Sequence, residues 1–211
     1  MKRPDSMSTD PSQRAATSAD ADRPAVAANV APGPLLLTAL ILVAALTRVL
    51  PHPPNFSPIE AVALFGGAYF ASRHWALIVP LAAMALSDLA LAALNGGQYA
   101  TWFGSSGSAV VYACVALGVV LGYGLRGKVT GARVLGYGLL GSALFFLVTN
   151  FSVWLFGSMY AKSVAGLMAA YAAGIPFFQG TVLGTLVYSA VLFGGFELLR
   201  ARVPALRAQT V

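Results

Sequence analysis

The sequence predicts an all-α membrane protein with six transmembrane helices and with both termini in the cytoplasm. Of its 211 residues, 58% are hydrophobic and only 9% are charged, whereas a soluble domain carries about 25% charged residues. The mean hydropathy is +0.75. Apolar runs close to the length that crosses a bilayer follow one another between residues 35 and 199.

Turn and cap signals divide this apolar region into spans. Pro51-His52-Pro53-Pro54 ends the first span, and Ser57-Pro58 provides an N-cap followed by proline at the first helical position of the second. Residues 157–179 are more polar and include Pro176, so we expect a long outer loop there with a short helix at 162–173. The six predicted spans are 35–50, 57–72, 74–94, 107–125, 133–156 and 180–200.

One transmembrane domain, at residues 34–200, is predicted between two tails. Residues 1–33 have few large apolar side chains, which is typical of a disordered segment. The first apolar run begins near Leu35, after four acidic residues, so a disordered cytoplasmic tail is better supported than a signal peptide. Residues 201–211 are predicted to form a short cytoplasmic C-terminal tail.

The basic residues orient the chain. With both termini inside, only Arg48 and Lys162 lie outside, against eleven basic residues inside, or seven without the N-terminal tail. This asymmetry predicts a multi-pass protein of a bacterial inner (plasma) membrane. A seventh span at 160–179 would weaken this asymmetry, because it would place the C-terminal arginines outside. The seven residues are Arg73, Arg126, Lys128, Arg133, Arg200, Arg202 and Arg207.

Other features narrow the class of protein. The single cysteine, Cys114, excludes an intrachain disulfide. The sequence has no phosphate-binding loop of ATPases and no basic aromatic face for nucleic acid. Glycines four residues apart, such as Gly118 with Gly122 and Gly180 with Gly184, indicate close helix packing within one chain, with a dimer face as the alternative.

Two carboxylates lie within predicted spans, where an ionisable group indicates a functional site by default. At 1.5 Å per residue, Glu60 and Asp88 fall in the outer half of the membrane, near the depth of Cys114 and Asn150. The structural alternatives are hydrogen bonds that lock helices, for the carboxylates and Asn150, and a small buried apolar group for Cys114.

Aromatic residues such as Trp102 and Phe177 are concentrated in the predicted outer loops. An interfacial aromatic belt would be more symmetrical, so we favour an outward-facing pocket for a small-molecule ligand. No catalytic residue is predicted, and no metal ligand is assigned from these features. The predicted ligand-binding residues are His52, Asn55, Glu60, Asp88, Trp102, Cys114, Asn150 and Phe177.

Five stretches of the sequence support a family resemblance. They are LPHPPNFSPIEA at 50–61, ALFGGA at 63–68, SDL at 87–89, LVTNF at 147–151 and IPFF at 175–178. Together they resemble a family of small bacterial integral membrane proteins that are described only in general terms as transport proteins. The resemblance covers about residues 35–199, and it implies a role in transport.

At a greater distance, the helix layout and size resemble the substrate-binding S components of energy-coupling-factor (ECF) vitamin transporters. That resemblance implies an S-component-like bundle that takes up a vitamin-like nutrient, with an energising transporter module as partner. The first helix departs from the pattern, because Ala39 and Ala44 do not reproduce the Ala-x-x-x-Ala face with which many S components dock that module.

One solitary group of S-component-like proteins binds cobalamin and uses a membrane cysteine as a cobalt ligand. By resemblance to that group, Cys114 would be the cobalt ligand, since a thiolate is a soft ligand, and His52 would be a second ligand. Cobalamin is the one specific compound that these resemblances suggest as a ligand, and no cofactor is assigned.

Two other interpretations stay open at this stage. A structural or assembly subunit without a ligand would use Glu60 and Asp88 for folding alone. An intramembrane enzyme would need a nucleophile–base pair or a metal cluster. The sequence offers no such motif, and its two histidines, His52 and His74, are predicted on opposite sides of the membrane, so we expect no enzyme activity.

Overall fold

The computed structural model describes residues 32–207 and 210–211, and it folds this part of the chain almost entirely into helices. Extended pairing in the described residues is limited to one isolated antiparallel bridge, between Phe70 and Thr210. The predicted N-terminal tail lies outside the described residues, except for its last two positions, which begin the first helix.

Six apolar helices follow one another along the described chain. Five of them are long and apolar enough to cross a membrane, so the prediction of an all-α, multi-pass membrane protein is confirmed at this level. A 3-10 turn extends the first helix over Thr47–Val49, and another extends the fourth over Tyr123–Leu125. The helices are α1 (Pro32–Leu46), α2 (Ile59–Tyr69), α3 (Arg73–Asn95), α4 (Ser106–Gly122), α5 (Gly131–Phe156) and α6 (Val164–Arg202).

The prediction for residues 157–179 is wrong. Instead of a long loop with a short helix at 162–173, α6 begins at Val164 and continues, through a π-helical segment at Ala190–Gly194, to Arg202. Pro176 does not interrupt α6, because neighbouring groups in a membrane bundle can satisfy the carbonyl that a proline leaves free. At 39 residues, α6 is about 58 Å long, well beyond the ~30 Å hydrocarbon core.

The shortest of the six helices, α2, forms the centre of the bundle. Its 11 residues rise only about 16 Å, about half of the hydrocarbon core. Every residue from Glu60 to Tyr69 is buried, as expected for a helix that is apolar on all sides, and α2 contacts each of the other five helices. The predicted second span is therefore a helix of about half the length that crosses the membrane, and the other helices surround it.

Glycines bring the backbones of α2 and α4 into direct contact. A Cβ atom on Gly67 would lie 2.1 Å from the carbonyl oxygen of Val119, and one on Gly122 would lie 2.4 Å from the carbonyl oxygen of Leu64. Gly118 belongs to the same contact, where it faces α2. Gly118 and Gly122 therefore pack helices within one chain.

The bundle has two ends with different charge. Arg126 caps α2 at one of them, because its guanidinium donates to the carbonyl oxygens of Gly67 at 2.9 Å and of Phe70 at 2.7 Å. Of the described basic residues, only Arg48 and Lys162 lie at the opposite end. We call the first the terminal end, with residues 70–72, 123–130 and 203–207, and the second the cavity end, with residues 47–58, 96–105 and 157–163.

Candidate functional site

A cavity of about 590 Å³ opens among the helices at the cavity end. Its walls come from the loop that precedes α2, the first turn of α2, the connection between α3 and α4, and the facing sides of α3, α4, α5 and α6. The volume falls in the range of roughly 300–1,000 Å³ that small-molecule pockets occupy. The lining mixes charged, amide and aromatic side chains.

An ion pair occupies one wall of the cavity. Arg48 Nη1 lies 2.6 Å from Asp88 Oδ1, and the two side chains are only 14% and 4% exposed. The same nitrogen donates to Ser87 Oγ at 2.5 Å, and the Tyr112 hydroxyl donates to Asp88 Oδ2 at 3.0 Å. Both oxygens of Asp88 therefore have partners, as a buried charge requires, and the network ties the end of α1 to α3 and α4.

Glu60, in the first turn of α2, also lines the cavity, but its surroundings differ. The residue is 7% exposed, and its Oε2 atom has no hydrogen-bond partner among the described residues. Glu60 also lines a hollow of about 20 Å³ between α2, α4 and α5, whose other walls are apolar apart from Cys114. The N-terminus of α2 favours a negative charge at this position.

The loop that precedes α2 reaches into the bundle. Asn55 has a φ of 57°, in the left-handed region that Asn enters more readily than most residues. A Cβ on Gly180 of α6 would lie 2.1 Å from the carbonyl oxygen of Pro54, and Gly180 is about 24 Å along α6 from its start at Val164. Irregular backbone at such a depth is tolerated where it lines a cavity.

The wall formed by α5 and α6 combines aromatic rings with an amide. Asn150 donates through Nδ2 to the carbonyl oxygen of Phe146 at 2.9 Å. A Cβ on Gly174 would lie 2.4 Å from Asn150 Oδ1, so this glycine makes room for the amide. The rings of Phe146 and Phe178 pack with centroids 4.9 Å apart, and Phe177 completes this wall.

Seven of the eight predicted ligand-binding residues line this one cavity, whereas Cys114 does not. Cys114 lies beside Glu60 in the small hollow, which has room for about one water molecule. Among the described residues, no group of three or more His, Cys, Asp or Glu residues could hold a metal ion, and the cobalt-ligand hypothesis stays a prediction. The seven are His52, Asn55, Glu60, Asp88, Trp102, Asn150 and Phe177.

The sequence patterns do not predict that Arg48 and Tyr112 take part in the site. Arg48 had a detectable signal, because charged residues in membrane helices usually pair with one another, and Asp88 and Arg48 are predicted at the same side of the membrane. Tyr112 had none, since its hydroxyl acts on Asp88 only through the way α3 and α4 pack. The cavity also includes Tyr99, which belongs to the aromatic residues of the predicted outer loops, and Thr181, which no sequence pattern indicates.

Comparison with known proteins yields one family. A family model with the description "Family of unknown function (DUF6580)" matches residues 28–206, which includes nearly all of the described chain. The chain matches none of the curated proteins and none of the solved structures with which it was compared.

Proposed function

We propose, from the premise that this chain belongs to the DUF6580 family of unknown function, that it binds and takes up a small, vitamin-like nutrient through the cavity at one end of its bundle. The observation that carries the proposal is the cavity itself, of about 590 Å³. A concave, partly aromatic site with a few convergent polar groups is the usual form of a small-molecule site. The proposed role is binding and uptake, without catalysis.

The distribution of basic residues between the two ends supports a direction of uptake. Seven of the basic residues lie in or beside the loops of the terminal end, against Arg48 and Lys162 at the cavity end. The positive-inside rule supports a cytoplasmic terminal end and an outward-facing cavity in the inner membrane of a bacterium. A nutrient would therefore enter the cavity from outside.

The same cavity is also compatible with an S-component-like role, in which a separate energising module would drive uptake. The cobalamin alternative needs a further condition. Cys114 lines the small hollow and not the cavity, so a corrin in the cavity would have to reach into that hollow. We therefore rank cobalamin below smaller nutrients as a ligand.

A structural or assembly role is the second candidate, and one observation favours it. The Arg48–Asp88–Tyr112 network satisfies its own charges without a ligand and ties three helices together. This role accounts for Asp88, but it does not account for the Oε2 atom of Glu60, which has no hydrogen-bond partner in the described part of the chain.

The test is the thermal stability of the detergent-purified protein against a panel of vitamins, other nutrients and corrinoids, because a ligand that binds only the folded state raises the melting temperature. Trp102→Ala removes a cavity wall, and Trp75→Ala, at a residue that is 58% exposed near the terminal end, is the matched control. We expect one compound class to stabilise the wild type and Trp75→Ala, and to lose its effect on Trp102→Ala. A flat panel would favour the structural role, whereas equal shifts in all three proteins would show that the compound binds outside this cavity.

A further inference from the structure

The cavity has one carboxyl group that forms no ion pair with a described side chain. Two carboxylates line it, those of Asp88 and Glu60, against one guanidinium, that of Arg48. Arg48 pairs with Asp88. Lys162, the other cation of the cavity end, donates to the carbonyl oxygens of Trp154 and Gly157 and does not line the cavity. Among the described residues, Glu60 thus has no ion-pair partner of its own.

An unpaired buried carboxylate is costly unless a partner arrives to hydrogen-bond it. Glu60 lines the cavity, and its Oε2 atom is enclosed and has no hydrogen-bond partner among the described residues, whereas both oxygens of Asp88 have partners. Of the two carboxylates that line the cavity, Glu60 is therefore the one with an unoccupied oxygen, which a turn of its side chain would offer to a hydrogen-bond donor of a ligand.

We propose that the cavity selects ligands that present a protonated nitrogen, as an amine or a nitrogen heterocycle, to Glu60. This inference rests on the proposed function and names the class of nutrient. Aromatic side chains support it, because cations bind favourably over aromatic faces. Those of the lining are Tyr99, Trp102, Phe145, Phe146, Phe177 and Phe178.

A charge series on one skeleton tests the inference. The probes are 2-phenylethylamine, 2-phenylethanol and phenylacetate, which share an aromatic ring and differ in charge. Loss of helical circular dichroism on heating, over a range of probe concentrations, gives an apparent affinity for each. We expect the amine to bind about tenfold or more tightly than the alcohol, since a hydrogen bond to a charged group has that strength, and the acid to bind most weakly.

Two carboxylate-to-amide variants identify the residue that is responsible for the preference for the amine. Glu60→Gln keeps the shape of the side chain and removes its charge, so the amine should lose its advantage while the alcohol keeps its affinity. Glu197→Gln makes the same change at the terminal end, where Glu197 lies 3.4 Å from Arg200, and should keep the preference. If Glu60→Gln does not fold, Glu60→Asp should fold with the amine still preferred but bound less tightly than by the wild type.

The outcomes separate this inference from the proposed function. Equal binding of the three probes, a preference that survives in Glu60→Gln, or a stabilising nutrient without a cationic nitrogen would overturn charge recognition by Glu60 and leave the binding function intact. If neither the charge series nor the nutrient panel stabilises the protein, the binding function itself fails.

Discussion

Asp88 and Glu60 are both buried carboxylates at the cavity end, but their partners give them different roles. Arg48 and Tyr112 engage both oxygens of Asp88, so removing its charge would leave a partly buried guanidinium without its ion-pair partner. Glu60 Oε2 has no partner among the described residues, so removing its charge would break no ion pair. We therefore expect Asp88 to matter for stability and Glu60 for binding.

Asp88→Asn should destabilise the protein by about 3–5 kcal/mol, the cost of breaking a buried ion pair from one side. The double variant Arg48→Gln/Asp88→Asn removes both charges, and it should be more stable than Asp88→Asn alone. Thermal unfolding of the purified variants in detergent measures both changes. The single variant Arg48→Gln completes the comparison. If the double variant loses as much stability as Asp88→Asn and Arg48→Gln together, the two residues are not coupled.

At the scale of single residues, the sequence predicted which carboxylates belong to the site better than it predicted their interactions. The cost of a charge in a membrane span was enough to select Glu60 and Asp88. The difference between them depends on Arg48 and Tyr112, which lie 40 and 24 positions from Asp88 in the chain. No local pattern encodes those two contacts, because helix packing creates them.

The central helix α2 is the element on which the architecture depends. It is too short to cross the membrane, and its N-terminal turn lies at the cavity. Close contact with α4, through Gly67 and Gly122, holds it in that position. The arrangement places Glu60 within the bundle, with the loop of residues 51–58 beside it.

Gly67→Ala should destabilise the protein by about 3 kcal/mol, in the upper part of the usual range for overpacking, because its Cβ would meet the backbone of Val119. Gly136→Ala on α5 is the matched control. Nothing lies within 4 Å of its added Cβ, so stability should be unchanged or slightly raised. Denaturation of the two variants in mixed detergent measures the difference, and equal effects would refute the close contact.

Element boundaries followed from the sequence where caps and apolar runs coincide. The predicted third span, 74–94, lies within α3, and the fifth, 133–156, lies within α5. The start of α6 could not be predicted in this way. Tyr160, Lys162 and Pro176 indicate a break, but the loop ends at Ser163, which caps α6 through a hydrogen bond from the amide of Gly166.

On the scale of the whole molecule, most of the basic residues and the cavity lie at opposite ends of the bundle. The basic loops collect at the terminal end, and the aromatic and acidic residues of the cavity lie at the other. Composition and the positive-inside rule were enough to predict a helical membrane protein and this division of charge. They could not predict a cavity, because its volume results from how six helices and one loop fail to fill the space between them.

Single cysteines test the orientation of the molecule. In a Cys114→Ala background, Met159→Cys lies at the cavity end, where Met159 is 78% exposed, and Lys128→Cys lies at the terminal end. A membrane-impermeant maleimide added to intact bacterial cells should label the first and spare the second, because the terminal end is proposed to be cytoplasmic. Labelling of Lys128→Cys alone would reverse the topology and rule out an outward-facing cavity.

The most direct test of the central claim is mass spectrometry of the small molecules that co-purify with the protein. Val153→Trp fills space in the cavity, where Val153 is 45% exposed. Val187→Trp is the matched control, since Val187 is 48% exposed on α6 and does not line the cavity. The account predicts a compound that is enriched with the wild type and Val187→Trp and strongly depleted with Val153→Trp. Indistinguishable profiles from all three proteins would contradict it.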